Sequence, residues 1–159
     1  MRIGRDFILF SCLWVVCLVG IGFCLGLLTK QSIPTWYEYL NRSSLTPPNY
    51  VFGVAWTILY ALIGMSGALL WNAENVSDSF AIKKLYVLQL FLNWIWTPIF
   101  FSLHMVGGAL GVLSALIICV GWLIFKSYRQ IRLVSVLLMP YFLWLVFAAY
   151  LNFFVWFYN

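Results

Sequence analysis

Long uncharged, mainly apolar runs alternate with short polar connections along the whole chain. No Asp, Glu, Lys or Arg occurs in residues 7–29, 43–73, 85–125 or 133–159. About 20 apolar residues cross a bilayer as a helix, so the third run is long enough for two helices, divided at His104, Gly107 and Gly108. The pattern therefore predicts an all-α integral membrane bundle of five transmembrane helices. The predicted spans are 7–29, 49–71, 85–103, 106–125 and 133–157.

The longest polar connection, residues 30–48, is predicted to form a lid over one end of the bundle. Ile33-Pro34 indicates the start of a short interfacial helix, and Pro47-Pro48 marks the start of the second span, because proline is tolerated in a first helical turn. The alternative is that residues 30–48 only anchor the protein at the membrane surface. Connections this long usually have a role of their own.

Composition supports a membrane protein and adds an orientation. The chain is 65% hydrophobic and carries nine Lys or Arg and four Asp or Glu residues, far fewer charges than a soluble domain. Seven basic residues, Arg2 among them, fall at one side of the predicted spans and two, Lys30 and Arg42, at the other. The positive-inside rule then predicts a cytoplasmic N-terminus, in a bacterial plasma membrane. Because the basic residues sit at span ends, no nucleic-acid partner is expected.

The spans lack the groups that most membrane enzymes and pumps require. No Asp, Glu, Lys or Arg lies inside a predicted span, which argues against ion-coupled transport and against general acid–base catalysis. The four cysteines have no CxxC spacing and no nearby histidine, so they predict small buried hydrophobes rather than a disulfide framework or a metal site. No metal and no cofactor is expected.

Aromatic and amide side chains instead share helix faces. Helical spacing places Trp56 with Tyr60 in the second span. It also aligns Gln89, Asn93, Trp96 and Phe100 in the third, and Tyr141, Trp144, Ala148, Leu151 and Asn152 in the fifth. Helix faces that combine aromatic rings, amides and small residues are typical of surfaces that pack on other helices rather than on lipid. They predict a hydrophobic pocket lined by Trp56, Trp96 and Trp144 that suits a flat, conjugated ligand; the alternative is that these rings only pack the bundle core.

Three segments carry a family resemblance. They are T-P-P at Thr46–Pro48 with A-W-T-I-L-Y at Ala55–Tyr60, LNWIWTPIFF at Leu92–Phe101 and PYFLWLVFAAYLN at Pro140–Asn152. In this order they resemble the tryptophan-rich sensory protein family, also called the translocator protein or peripheral benzodiazepine receptor family. One departure is Leu45, where the family has Trp.

The resemblance implies a five-helix bundle, often a homodimer in the lipid membrane, with a pocket under the first loop. That pocket binds porphyrins and, in some members, sterols or benzodiazepine-type ligands. The matching pocket residues here are Trp56, Asn93, Trp96, Trp144, Ala148 and Leu151, with Tyr37 and Pro47 in the lid. Light-driven porphyrin breakdown, proposed for some bacterial members, would involve Trp56, Trp144 and Tyr37 as the matching aromatics.

Other departures limit the comparison. Gly108 and Val112 stand where animal members place Trp and often Asp, so a wider, apolar wall of the pocket is expected on the fourth helix. The animal cholesterol motif reads Leu151, Phe153 and Phe157 here, without its Tyr and basic residue, so no cholesterol site of that type is expected. A stripe of small residues on the fourth helix predicts close packing inside the bundle or in a dimer: Gly107, Gly111, Ala115 and Cys119.

The leading hypothesis is a membrane receptor or carrier that binds a porphyrin or related tetrapyrrole for sequestration, transport or stress sensing. The sequence does not favour an enzyme, and the one catalytic hypothesis is light- and oxygen-dependent porphyrin degradation. Two non-catalytic hypotheses also stand: uncoupled transport of hydrophobic ligands, and a purely structural aromatic core.

Overall fold

Each uncharged run forms helix, and the long run at 85–125 divides into two as predicted. The computed structural model describes residues 5–74 and 77–159; Arg2, which contributes to the charge asymmetry, lies outside these ranges. The described residues contain five long helices and no strand, which confirms the all-α prediction. The helices are α1 (Arg5–Thr35), α2 (Asn49–Trp71), α3 (Ser79–Thr97), α4 (Val106–Tyr128) and α5 (Arg132–Tyr158). All five are long and apolar enough to cross a membrane.

The helices extend beyond the charge-free runs at several ends. Helix α1 continues past Thr29 to Thr35, and Pro34 lies inside its last turn rather than at the start of a new helix. Residues 30–35, predicted as lid, are therefore helical. The name lid is used below for residues 36–48, between α1 and α2. Helix α3 likewise begins at Ser79 and carries Lys83 and Lys84 in its first turns. The physical reason is that Lys and Gln are good helix formers, so a charge marks the edge of the apolar layer and not the end of the helix.

Two short non-α segments complete the chain. A 3₁₀ turn at Tyr37–Tyr39 follows α1, so it replaces the interfacial helix expected from Pro34. A π-helical turn at Pro98–Ser102 ends the third transmembrane segment. His104, in the turn between this segment and α4, has a left-handed backbone conformation (φ 54°). Its ring stacks on Trp36 with 4.1 Å between ring centroids.

The bundle is tightly packed in the half away from the lid. Its fully buried side chains come from the second half of α2, the first half of α3, the second half of α4 and the first half of α5. Helix α4 packs mainly on α5 and α3, and α1 packs mainly on α2. Only Ser11 and Leu18 are buried among the described residues of α1, so α1 is the outermost helix. The lid half is where space remains.

Small residues serve different purposes along the helices. Gly22 packs directly on the Tyr60 ring, and a side chain there would overlap it, whereas nothing lies near a Cβ built at Gly26. On α4, Gly107 lies against the indole of Trp156, but Gly111 and Ala115 are exposed. The small-residue stripe of α4 therefore faces outward over its middle part.

The cysteine prediction was wrong for three of the four residues. Cys119 is buried, but Cys12, Cys17 and Cys24 are exposed on α1. Because α1 makes few buried contacts, its apolar residues, cysteines included, face the space that lipid occupies in a membrane protein. Within the described ranges, no group of three His, Cys, Asp or Glu side chains is close enough together to hold a metal ion.

Candidate functional site

A cavity of about 500 Å³ lies in the lid half of the bundle. It is enclosed by the second half of α1, the first half of α2, the end of α3 with its π-helical turn, and the second half of α5, with Tyr37 above it. Ligand sites in proteins typically measure about 300–1,000 Å³ and are mostly apolar with a few polar groups. The cavity fits this description in both size and lining.

The structure brings together nearly all the residues that the sequence assigned to a pocket. Trp56, Asn93, Trp96, Trp144, Ala148, Leu151 and Tyr37 all line the cavity. Pro47 does not: it lies in a separate polar groove of about 850 Å³ on the outer face of the lid, together with Asn41, Arg42 and Asn49. Asn49 lines both spaces, so the groove adjoins the cavity at the start of α2.

The three tryptophans enter the cavity from three different helices. The Trp56 ring lies 5.4 Å from the Tyr60 ring and 6.3 Å from the Tyr141 ring, measured between centroids. Trp144 meets Phe52 edge-on at 5.9 Å, and Trp96 stacks on Phe100 at 5.2 Å. These distances are those of favourable aromatic pairs. The rings are thus held in place by neighbours while one side of each borders the cavity.

A buried amide joins three helices at the cavity's inner end. The Tyr60 hydroxyl donates to Oδ1 of Asn93 at 2.6 Å, and Nδ2 of Asn93 donates to the Tyr141 hydroxyl at 2.9 Å. One turn earlier on α3, Gln89 is fully buried, yet neither atom of its amide has a partner among the described residues. Asn93 therefore fixes the positions of α2, α3 and α5 relative to one another, whereas Gln89 makes no such link.

A second amide supports Trp96 near the lid. Trp96 donates its indole N–H to Oδ1 of Asn152 at 3.2 Å, and Nδ2 of Asn152 donates to the Val106 carbonyl at 3.0 Å. The buried indole nitrogen of Trp144, by contrast, has no hydrogen-bond partner within the described ranges. Among the cavity tryptophans, Trp96 is thus the one whose indole N–H is bonded to another side chain within the described ranges.

Aromatic packing and hydrogen bonds hold the lid in place. Tyr37 packs on Phe100 and Phe101 with centroid distances of 6.1 and 5.7 Å. Asn41 exchanges hydrogen bonds of 2.9 and 3.2 Å with Asn159 after the end of α5. Burial raises the pKa of the Tyr37 hydroxyl, and the guanidinium of Arg42, 5.1 Å above its ring, acts in the opposite direction. Tyr37 therefore stays neutral at physiological pH.

The expectation for α4 was wrong. No described residue of α4 lines the cavity, so Gly108 and Val112 do not form its wall. Helix α4 packs behind α3 and α5, and this position separates it from the space between α1 and α2. Gly108 is instead exposed beside Met105 and Ile99.

The sequence reasoning missed the contribution of α1. Val19, Gly22, Gly26 and Lys30 line the cavity from this helix. Composition does not separate them from lipid-facing residues, because α1 is apolar on all sides. The GxxxG spacing of Gly22 and Gly26 was the available signal, since small residues allow a neighbouring helix to approach. Tyr60 also lines the cavity.

The lining limits what chemistry the cavity can perform. It contains no carboxylate, histidine or cysteine, and Lys30 is its one charged residue among those described. Carboxylates, histidines and cysteines are common general acids, general bases and nucleophiles of enzymes. The arrangement suits binding through aromatic surface, with a small number of amides and hydroxyls to fix the orientation of a ligand.

Comparison with known proteins finds relatives along most of the chain. The profile of the TspO/MBR family matches residues 13–157. The Tryptophan-rich protein TspO of Archaeoglobus fulgidus is 37% identical over 145 residues, covering 91% of this chain and 94% of that protein. The human Translocator protein is 37% identical over 128 residues, 76% of this chain and 73% of that protein. The Tryptophan-rich sensory protein of Cereibacter sphaeroides is 31% identical over 150 residues, covering 94% and 90%.

Proposed function

The chain belongs to the TspO/MBR family of membrane proteins, and on this basis we propose that it is a receptor or carrier for a porphyrin or related tetrapyrrole. The observation that carries the proposal is the cavity of about 500 Å³ bordered by Trp56, Trp96 and Trp144. Flat conjugated rings bind to aromatic side chains by offset-stacked and edge-to-face contacts. A tetrapyrrole offers such a surface on both faces.

The few polar groups of the cavity support a ligand that is apolar over most of its area. Asn93 and Asn152 use their amides to bond protein groups, and the hydroxyls of Thr29 and Thr57 bond backbone carbonyls of their own helices. An apolar ring system can therefore enter without leaving many protein polar groups unsatisfied. The ligand is held for sequestration, delivery or sensing, and no step of chemistry is required of the protein.

The direct test is a titration of the purified protein in detergent with protoporphyrin IX in the dark, followed by the Soret absorbance. The native protein should saturate near one ligand per chain. Trp56→Phe and Trp144→Phe should each weaken binding by about threefold or more, the value of one favourable aromatic contact. Trp122→Phe, an exposed residue of α4 outside the cavity, is the matched control and should bind as the native protein does. Linear, unsaturable absorbance changes in all four proteins would refute the proposal.

A second candidate function is light- and oxygen-dependent degradation of the bound porphyrin. Trp56 and Trp144 border the cavity from the neighbouring helices α2 and α5, and Tyr37 lines it as well. Indole can donate an electron to an excited porphyrin or to the oxygen species it generates, so this reaction needs no acid or base. Illuminating the saturated complex in air should bleach the Soret band, and Trp144→Phe should slow bleaching at equal ligand occupancy. Equal bleaching by native and variant proteins would exclude this role for Trp144.

The proposed setting is a bacterial plasma membrane, with the N-terminus in the cytoplasm and the lid outside. The basic residues of the α2–α3 and α4–α5 ends support this orientation. In this orientation the cavity lies in the outer half of the membrane. Uncoupled movement of a hydrophobic ligand through it is compatible with the absence of charged residues from the predicted spans, and porphyrin flux into sealed vesicles would measure it.

A further inference from the structure

One charged side chain meets the otherwise uncharged cavity. Lys30, in the last turns of α1, is the one Lys, Arg, Asp or Glu among the described lining residues. Its side chain is exposed at the cavity edge. An ammonium group at the rim of an apolar space is positioned to meet a charged substituent of a ligand whose body lies inside.

The placement of Lys30 is unusual for this chain. The other basic residues that the structure describes, with the exception of Arg42, lie at the opposite ends of the helices, as the positive-inside rule predicts. Orientation in the membrane therefore does not account for Lys30 and Arg42. Lys30 lines the cavity. Arg42 lines the adjoining polar groove, and its guanidinium lies 5.1 Å above the ring of Tyr37, which lines the cavity.

Neither Lys30 nor Arg42 forms an ion pair with a carboxylate of the described residues. In residues 5–74 and 77–159 the one ion pair joins Lys126 to Asp78, at 3.1 Å and at the far end of the bundle. Glu38, the acidic residue of the lid, lines the polar groove together with Arg42 but forms no ion pair with it among the described residues, and it does not line the cavity. The positive charge at the cavity edge is thus free to attract an anion.

We propose that the cavity selects ligands that combine a flat apolar body with a carboxylate at one edge, and that Lys30, assisted by Arg42, binds that carboxylate. This inference rests on the proposed function and adds the ligand's charge to it. The simpler role for Lys30 is to extend its ammonium group to the membrane surface while its methylenes cover apolar atoms. That role gives no preference between a charged and an uncharged ligand of the same shape.

The test compares protoporphyrin IX, which carries two carboxylates, with its uncharged dimethyl ester, both titrated in the dark. Lys30→Met should weaken binding of the acid by about fivefold, which corresponds to the about 1 kcal/mol available to a partly exposed ion pair. Binding of the ester should stay unchanged. Lys30→Arg should retain the native affinity for the acid, and Arg42→Gln should show a smaller loss. Lys84→Met, exposed on α3 at the opposite end, should behave as native with both compounds.

Three outcomes would overturn the inference. If the native protein binds the acid and Lys30→Met binds it with the same affinity, Lys30 does not bind the carboxylate, and the proposed function stands without this inference. If Lys30→Met weakens binding of the acid and of the ester equally, Lys30 contributes through packing rather than through charge, and the proposed function again stands. If the native protein shows no saturable binding of either compound, the proposed function fails and this inference fails with it.

Discussion

Replacing Asn93 by leucine removes the amide that joins α2, α3 and α5 while keeping nearly the same side-chain shape. Two hydrogen bonds are lost, the one from the Tyr60 hydroxyl at 2.6 Å and the one to the Tyr141 hydroxyl at 2.9 Å. Interhelical hydrogen bonds in membrane proteins contribute about 0.6 kcal/mol on average and up to about 1.7 kcal/mol each. Tyr141 is 0% exposed and Tyr60 4% exposed, so neither hydroxyl can turn to water instead. We expect the free energy of unfolding to fall by about 2 kcal/mol.

Gln89 provides the matched control on the same face of the same helix. It is 0% exposed, and its amide has no partner among the described residues. Gln89→Leu therefore breaks no hydrogen bond and removes a polar group from an apolar environment, which costs free energy when it is unpaired. We expect Gln89→Leu to unfold within about 0.5 kcal/mol of the native protein or to be more stable.

Reversible unfolding in mixed micelles with increasing SDS, followed by far-ultraviolet circular dichroism, gives both free energies under the same conditions. Tyr60→Phe and Tyr141→Phe, each combined with Asn93→Leu, separate the two hydrogen bonds by double-mutant cycles. If Gln89→Leu lowers the free energy of unfolding as much as Asn93→Leu does, the two hydrogen bonds of Asn93 are not the cause of its contribution to stability. That result would show that burial of any amide on this face, and not its bonding, determines stability.

Three further predictions concern the packing and the lid. Gly22→Ala should lower the free energy of unfolding by about 1–3 kcal/mol, because its Cβ would overlap the Tyr60 ring; thermal unfolding should show no loss for Gly20→Ala, where a Cβ has open space. Burial raises the pKa of Tyr37, so the folded protein holds this proton more tightly than the unfolded chain does. The free energy of unfolding should therefore fall as the pH rises above about 10, and base titration should show a smaller fall for Tyr37→Phe. Gly111→Leu, on the outward face of α4, should weaken a homodimer and leave the monomer folded, as measured by sedimentation in detergent; an unchanged dimer would place the interface elsewhere.

The helices were predictable because the membrane imposes a simple rule on sequence. A segment that crosses the apolar layer must hold its backbone hydrogen bonds internally and exclude charge, so charge-free length alone located all five. The same rule misplaced helix ends, because helices continue into the interface. Residues 30–35 and the first turns of α3 carry charge yet remain helical.

The cavity residues were predictable where they differ from lipid-facing ones. Asn and Trp recur together at helical spacing in α3 and α5, and an amide needs hydrogen-bond partners that lipid does not supply. Helix α1 gave no such contrast, because Val19 and Gly26 would be equally suited to either environment. The position of α4 was not predictable either, since the order of helices around the bundle is determined by tertiary packing and not by local pattern.

Filling the cavity without disturbing the fold tests most directly whether the ligand binds there. Gly26 lines the cavity and Gly20 does not. A Cβ added at either position would have no atom within 4 Å. Both Gly26→Leu and Gly20→Leu should fold, since leucine is also the better helix former. Gly20→Leu should bind protoporphyrin IX as the native protein does, and Gly26→Leu should lose at least about tenfold in affinity. Equal affinity in both variants would contradict the claim that the ligand occupies this cavity.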